Sequence, residues 1–215
     1  MIVDNCQNMK PKVTDFSELD LNKTYTYADY LTWRLQERVE LIKGWIYKMS
    51  PAPKRLHQKV ETALSSKLFS FFDKKICEVY QSPFDVRLTR KENDDKEITT
   101  VVQPDICVIC DPNKLDDYGC IGAPDLIIEV LSPSTIKKDN YEKFNIYQEN
   151  EVKEYWLVNP EGRSLQIFYL EDGEYVEFDT IEDKDELITS KLFPNLKFTT
   201  TDIFEYEKEN LNAKR

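Results

Sequence analysis

The sequence predicts an α/β protein with a mixed β-sheet flanked by helices, and three observations carry that reading. A strand–helix–strand unit is written into residues 124–160, where the continuously apolar DLIIEVLS is followed by a helical stretch and then by KEYWLVNP. An amphipathic helix follows Gln58, with Val60, Leu64, Leu68 and Phe72 recurring every four residues. Alternating apolar and polar positions mark further strands, as in Phe84, Val86 and Leu88 set against Asp85 and Arg87. With 215 residues, 40% hydrophobic and 12% aromatic, the chain can bury one core of ordinary size.

Taken in order, residues 1–20 lack periodicity and are expected to form a loose N-terminal arm. A single domain is expected over 21–206, followed by a tail at 207–215. Thr26 with Asp29 three residues on suits a helix start in TYADYLTW. The two apolar runs of RVELIKGWIYKMS flank Lys43-Gly44, a pair that suits a hairpin turn. SPAPKR is a proline-punctuated loop before the amphipathic helix, and TRKENDDKE is a solvated loop before TTVVQPDICVIC. SPST, with Ser134 or Thr135 as cap, should open a helix running to about Glu149. Its neighbours DLIIEVLS and KEYWLVNP should then be parallel. SLQIFYL and EYVEF read as peripheral strands.

The composition excludes several classes. No apolar run is long enough to span a bilayer, and the N-terminal segment lacks the basic-then-apolar pattern of a secretory signal, so the expectation is a cytoplasmic protein. Five scattered cysteines do not make a disulfide framework. Cys107 and Cys110 are three apart on a strand and point to opposite faces, which argues against a metal or redox pair and for reduced thiols. The net charge of −11 argues against a tight, non-specific DNA binder. Part of that acidity is local, however: residues 171–186 hold nine acidic groups and one lysine, whereas basic residues from Lys54 and Arg55 to Arg87, Arg90 and Lys91 could form a positive surface.

Two carboxylates stand out because a charge inside an apolar strand is costly unless paired or metal-bound. Glu129 lies between Ile128 and Val130, and Asp105 follows Pro104, a residue that disfavours a regular central strand. Each acid could be satisfied by backbone donors or a salt bridge; together, in neighbouring strands, they favour a hard divalent cation. Asp125, about 13 Å along the strand from Glu129 by strand rise, reads instead as a strand-start residue.

The blocks VELIKGWIYKMSPAPKRLHQ, SPFDVRL, VVQPDICVI, GAPDLIIEVLSPST, a helix with Asp139, Lys143 and Tyr147, VKEYWLVNP and SKLFPNLKF occur in one order. In that order they resemble the restriction endonuclease family called Uma-two, of the PD-(D/E)XK superfamily, over roughly residues 25–205. The resemblance implies a nuclease-like core and Mg²⁺- or Mn²⁺-dependent hydrolysis of phosphodiester bonds, with DNA as the expected substrate. It assigns Asp105 and Glu129 to the motif acids, with the Val130 carbonyl as a further metal ligand. Leu131 stands where the motif lysine is expected, and Lys143 on the following helix is its natural substitute; the competing role for Lys143 is an exposed pair with Asp139. Glu40 fits an early acidic position near the metal, against a solvated strand position. His57 reads as a capping or surface group. SPST, including Ser132 and Ser134, lacks a histidine–acid partnership, which makes a serine hydrolase the weakest reading. A homodimer would suit cleavage of both strands of a duplex. The alternative to an enzyme is a nuclease-fold binding or assembly module without turnover.

Overall fold

A computed structural model describes residues 13–49, 53–90, 94–132, 139–182 and 184–204. The expected SPST cap at Ser134 or Thr135, the first twelve residues of the arm and the 207–215 tail lie outside them. The remainder of the arm is ordered. Asp15 caps a short 3-10 turn at Phe16–Glu18, Val13 bridges to Trp33, and Leu19 is buried.

Helix α1 (Tyr27–Tyr30) starts on the Thr26–Asp29 capping box that the sequence suggests. The hairpin β1 (Val39–Ile42) and β2 (Trp45–Lys48) turns at Lys43 and Gly44, with φ of 52° and 84°. Two successive left-handed residues match the twist of the strands they join. Helix α2 (Arg55–Phe72) is followed by β3 (Glu78–Gln81), β4 (Val86–Arg87), β5 (Val101–Val102) and β6 (Ile106–Ile109). Next come β7 (Leu115–Asp116), β8 (Gly119–Ile121), β9 (Leu126–Val130) and helix α3 (Asp139–Glu149). The chain continues through β10 (Glu154–Asn159), β11 (Ser164–Glu171), β12 (Glu174–Ile181), β13 (Leu187–Thr189), β14 (Lys197–Thr199) and α4 (Thr200–Ile203).

The strands divide between two six-stranded mixed sheets and one two-stranded sheet, where the sequence pattern reads as one mixed sheet. Pro104 supplies the physical reason. It cannot donate to a ladder, and the apolar run from Val101 to Ile109 breaks around it, so β5 and β6 join different sheets. The chain accordingly packs as two compact units, Met1–Pro51 with Pro83–Gln103 and Asn113–Ala123, and Ala52–Ser82 with Pro104–Pro112 and Pro124–Arg215.

In the first unit the sheet order is β2-β1-β5-β4-β8-β7, over a core that includes Tyr25, Tyr27, Trp33, Leu41 and Ile98. The alternation around β4 misleads at Arg87, which is 2% exposed rather than part of a basic surface. Its guanidinium donates to Asp116 and to the Cys120 carbonyl and stacks over Tyr27. Gly119 has a φ of 132°, and a Cβ there would come within 2.1 Å of the Asp85 carbonyl oxygen. Gly119→Ala is therefore expected to cost roughly 2–4 kcal/mol, read as a lower urea midpoint with an unchanged slope.

In the second unit the order is β12-β11-β10-β9-β6-β3, and β9 and β10 are parallel, as the strand–helix–strand reading requires. One face packs on α2, where Val60, Leu64 and Leu68 are fully buried with Ile106, Ile128, Trp156 and Val158. Each such leucine contributes on the order of 2–3 kcal/mol by leaving water. The opposite face carries an aromatic group of Phe144, Tyr147, Tyr155, Phe168 and Tyr175. Burial on both faces explains why DLIIEVLS is apolar at every position from Leu126 to Leu131 apart from Glu129. A disulfide joins Cys77 to Cys110, against the expectation of reduced thiols. The β3–β6 register that pairs Glu78 with Ile109 sets these two cysteines opposite each other at the next step along the ladder. Cys107 and Cys120 are buried thiols outside any disulfide.

Candidate active site

Asp105 and Glu129 meet because of strand register. The β6–β9 ladder pairs Ile106 with Ile128, so the next step sets Asp105 against Glu129. Beyond the end of that ladder the Asp105 side chain takes over from the backbone: its Oδ2 accepts the Val130 N–H at 2.8 Å. The carboxylate is thus held by the strand that carries Glu129.

Helix α3 supplies the partners of Glu129. Lys143 and Tyr147 are one helical turn apart and share a face. The Lys143 ammonium donates to Glu129 Oε1 at 3.0 Å, and the Tyr147 hydroxyl donates to the same oxygen at 2.6 Å. The side chains of Lys143 and Glu129 are each 11% exposed, so little water screens the pair. Leu131, in the motif-lysine position, instead continues the ladder through its N–H to the Val158 carbonyl. The ammonium beside the acid therefore comes from the helix. The side chain of Asp139, the alternative partner for Lys143, lies outside what the structure describes.

His57 occupies the first turn of α2 but neither caps it nor faces solvent, which corrects its reading from sequence. It is buried, with Nε2 3.3 Å from Asp105 Oδ2 and Nδ1 3.7 Å from Glu61 Oε2. Burial opposes the charged imidazolium. The hydrogen bond and charge of Asp105, the charge of Glu61 and a bond to the Val130 backbone outweigh it and hold the pKa above the usual histidine value. Glu61 and Tyr147 complete the cluster, and neither was singled out by sequence as a site residue. The signal for Glu61 was its i,i+4 spacing from the single histidine; Tyr147 had the same spacing from Lys143.

Asp125 behaves as a strand-start residue. Its carboxylate accepts the Cys110 N–H at 2.8 Å and the Lys153 ammonium at 2.6 Å. Glu40 lies on β1 in the first unit and is 6% exposed, not solvated; its Oε1 accepts the Gln103 N–H at 2.8 Å. Among the described residues there is no group of three or more His, Cys, Asp or Glu side chains arranged to hold a metal. The residues that the family resemblance gives to a cation are two carboxylates and the Val130 carbonyl, all hard oxygen donors, and here the Val130 backbone also carries the bond from His57. That set fits Mg²⁺ or Mn²⁺, which keep several waters when bound by few protein oxygens.

A parallel β-α-β unit with two acids set against each other by adjacent strands and a lysine on the crossover helix defines a restriction-endonuclease-like α/β protein. The chain belongs to the Uma2 family, described as "Putative restriction endonuclease", whose model matches residues 27–201. It is 30% identical over 152 residues to the Uncharacterized protein slr1290 of Synechocystis sp., covering 69% of this chain and 76% of that one. It is also similar to the crystal structure of a putative nuclease belonging to DUF820 from Anabaena variabilis ATCC 29413. There the TM-score is 0.65 at 19% identity, over 84% of this chain and 97% of the other, a likeness of fold. No helix among the described residues is long and apolar enough to cross a membrane.

Proposed function

We propose that this protein is a metal-dependent endonuclease that hydrolyses phosphodiester bonds, with DNA as substrate. The observation that carries the reading is the Lys143 ammonium on Glu129, the acid that strand register sets against Asp105. Asp105, Glu129 and the Val130 carbonyl would hold Mg²⁺ or Mn²⁺, which when bound polarises the phosphate and makes a water molecule more acidic.

The chain's own groups have separate tasks. Lys143 puts a positive charge where negative charge grows on the phosphoryl oxygens and can hold the attacking water through a hydrogen bond. Tyr147 fixes the Glu129 carboxylate by donating to the oxygen that Lys143 also contacts. His57 and the Val130 N–H hold Asp105 in one orientation. In the hydrolysis, water oxygen bonds to phosphorus, the bond from phosphorus to the leaving oxygen breaks, and that oxygen takes up a proton. Lys54, Arg55 and Lys59 are exposed around the first turns of α2, where the helix end is positive and no acid sits in the first turn. Such a surface suits a polyanion despite the net charge.

The reading includes a homodimer for cutting both strands and a cytoplasmic location. Disulfides are rare in that compartment, so the redox state of Cys77 and Cys110 in protein isolated under native conditions checks the location directly. The test of the site is Mn²⁺ and Mg²⁺ titration by calorimetry on the wild-type chain and on Glu129→Gln. Saturable binding that the variant loses is expected. Failure of the wild type to bind either ion, with or without added DNA, would move the assignment to a nuclease-fold binding module.

A further inference from the structure

The nuclease reading gives no task to the disulfide between Cys77 and Cys110, yet that bond is built onto the strand of Asp105. Asp105 immediately precedes β6 and Cys110 immediately follows it. Strand β3 lies at the edge of its sheet, with β6 as its neighbour. It pairs Glu78 with Ile109, Val79 with Val108, Tyr80 with Cys107 and Gln81 with Ile106. One end of this ladder is closed by the disulfide. At the other end the Ser82 N–H donates to the Asp105 carbonyl at 3.1 Å. Of the four β3 residues Val79 alone is buried, so apolar packing holds the strand lightly.

The segment from α2 through β3 meets Asp105 twice. His57, in the first turn of α2, places Nε2 3.3 Å from Asp105 Oδ2, and Ser82, just past β3, bonds its backbone. The disulfide is the covalent tie between that segment and the strand of Asp105. Cys110 is anchored separately: its N–H donates to Asp125 at 2.8 Å, and Asp125 is held in turn by Lys153 at 2.6 Å. Cys77 instead follows residues 73–76, all of which are exposed. Opening the bond therefore releases Cys77 and the β3 edge, while Cys110 keeps its place.

Access sets this pair apart. Cys77 and Cys110 are partly exposed, whereas Cys107 and Cys120 are buried. A thiolate from solution can attack an accessible disulfide without prior unfolding. We infer that Cys77 and Cys110 form a reversible thiol–disulfide modification site, exchanging with glutathione, that sets how firmly Asp105 is held. Disulfides in a thiol-rich cytoplasm are mostly transient, and a partly exposed pair on a sheet edge suits that behaviour. The inference rests on the cytoplasmic location, and its consequence for cleavage rests on the nuclease reading. On oxidation, one thiolate of the pair attacks glutathione disulfide and releases one glutathione. The second thiolate attacks the mixed disulfide and releases the other. Two cysteine S–H bonds and one external S–S bond become one internal S–S bond and two glutathione thiols, which take up both protons. The oxidised form fixes β3 along β6; the reduced form leaves that edge to its hydrogen bonds and to Val79.

The test is amide hydrogen exchange by mass spectrometry on the full wild-type chain, equilibrated in glutathione buffers from oxidised to reduced, with thiols trapped by alkylation. Reduced glutathione should open the bond in the folded protein and make Cys77 and Cys110 alkylatable, but not Cys107 or Cys120. The amides of β3 and of Ser82 should then exchange about tenfold faster or more, while those of β10 and β11 stay unchanged. Glutathione disulfide should restore the slow exchange. Cys77→Ser should exchange at the reduced rate in every buffer; the wild-type comparison needs no substitution and stands even where this variant fails to fold. Metal-dependent cleavage should fall by up to about a hundredfold in the reduced form and recover on reoxidation. A bond that glutathione opens only after denaturant is added is a permanent staple and overturns the inference. So does reduction that leaves exchange at Ser82 unchanged. The two proposals fail separately. Redox-dependent exchange at Ser82, with neither metal binding nor cleavage in either form, keeps the modification site and ends the nuclease reading. Equal cleavage rates in both forms keep the nuclease and end the control of Asp105.

Discussion

Glu129→Gln is expected to lower metal-dependent cleavage of duplex DNA by about two to three orders of magnitude, the loss that follows removal of one preorganised electrostatic group. The substitution is nearly isosteric. The Tyr147 hydroxyl can still donate to the amide oxygen, so the surroundings of α3 should survive. What disappears is the negative charge that faces Lys143 at 3.0 Å. Leaving that ammonium in a site only 11% exposed should also cost roughly 1–3 kcal/mol of stability. Cleavage rates and urea midpoints measured on the same preparation separate the two effects. Full cleavage activity in a folded Glu129→Gln protein would remove this carboxylate from the reaction.

Lys143→Met is the second large effect. Methionine fills a similar volume on α3 without the charge, so kcat should fall by about a hundredfold or more while KM changes little. Lys143→Arg keeps the charge but spreads it over a planar group and should recover part of the rate. Mn²⁺ binding, which belongs to the oxygen donors, should persist in both variants. A kcat unchanged in Lys143→Met would make the ion pair with Glu129 a structural feature and return the molecule to the binding-module reading.

Much of this arrangement is legible in the sequence wherever a local rule decides it. Lys43 and Gly44 adopt positive φ because the hairpin twist demands it. The four-residue recurrence from Val60 to Phe72 lies on the buried side of α2. Lys143 reaches Glu129 because a helix returning along its own strand brings the two to similar heights. The cost of a charge in an apolar strand points to Glu129, yet the same rule passes over Glu154. That residue is fully buried on β10 and satisfied by the Trp156 indole and the Leu192 N–H, both at 2.7 Å. A buried acid with donors is therefore not by itself a site. What distinguishes Glu129 from Glu154 is a charged partner on a helix, Lys143 of α3.

The features that escape the sequence depend on register between distant segments. Cys77 and Cys110 are 33 positions apart and meet only through the β3–β6 ladder. Arg87 finds Asp116 across 29 positions, so its polar pattern could not reveal its burial. His57 faces Asp105 only because Pro104 ends a ladder and frees the aspartate side chain to bond across it. None of these follows from periodicity, which records a face but not the neighbour on that face.

The division around Pro104 also governs what can be cut from this chain. The backbone passes from one unit to the other five times, after residues 51, 82, 103, 112 and 123. Neither unit is a contiguous fragment, so no single truncation yields an isolated module for expression. A proteolytic nick between residues 103 and 104 would leave two pieces still joined by the Cys77–Cys110 disulfide, each holding strands that the other needs to complete a sheet. The first unit cannot be completed until residue 123 has left the ribosome, which postpones closure of its sheet until more than half the chain has been synthesised.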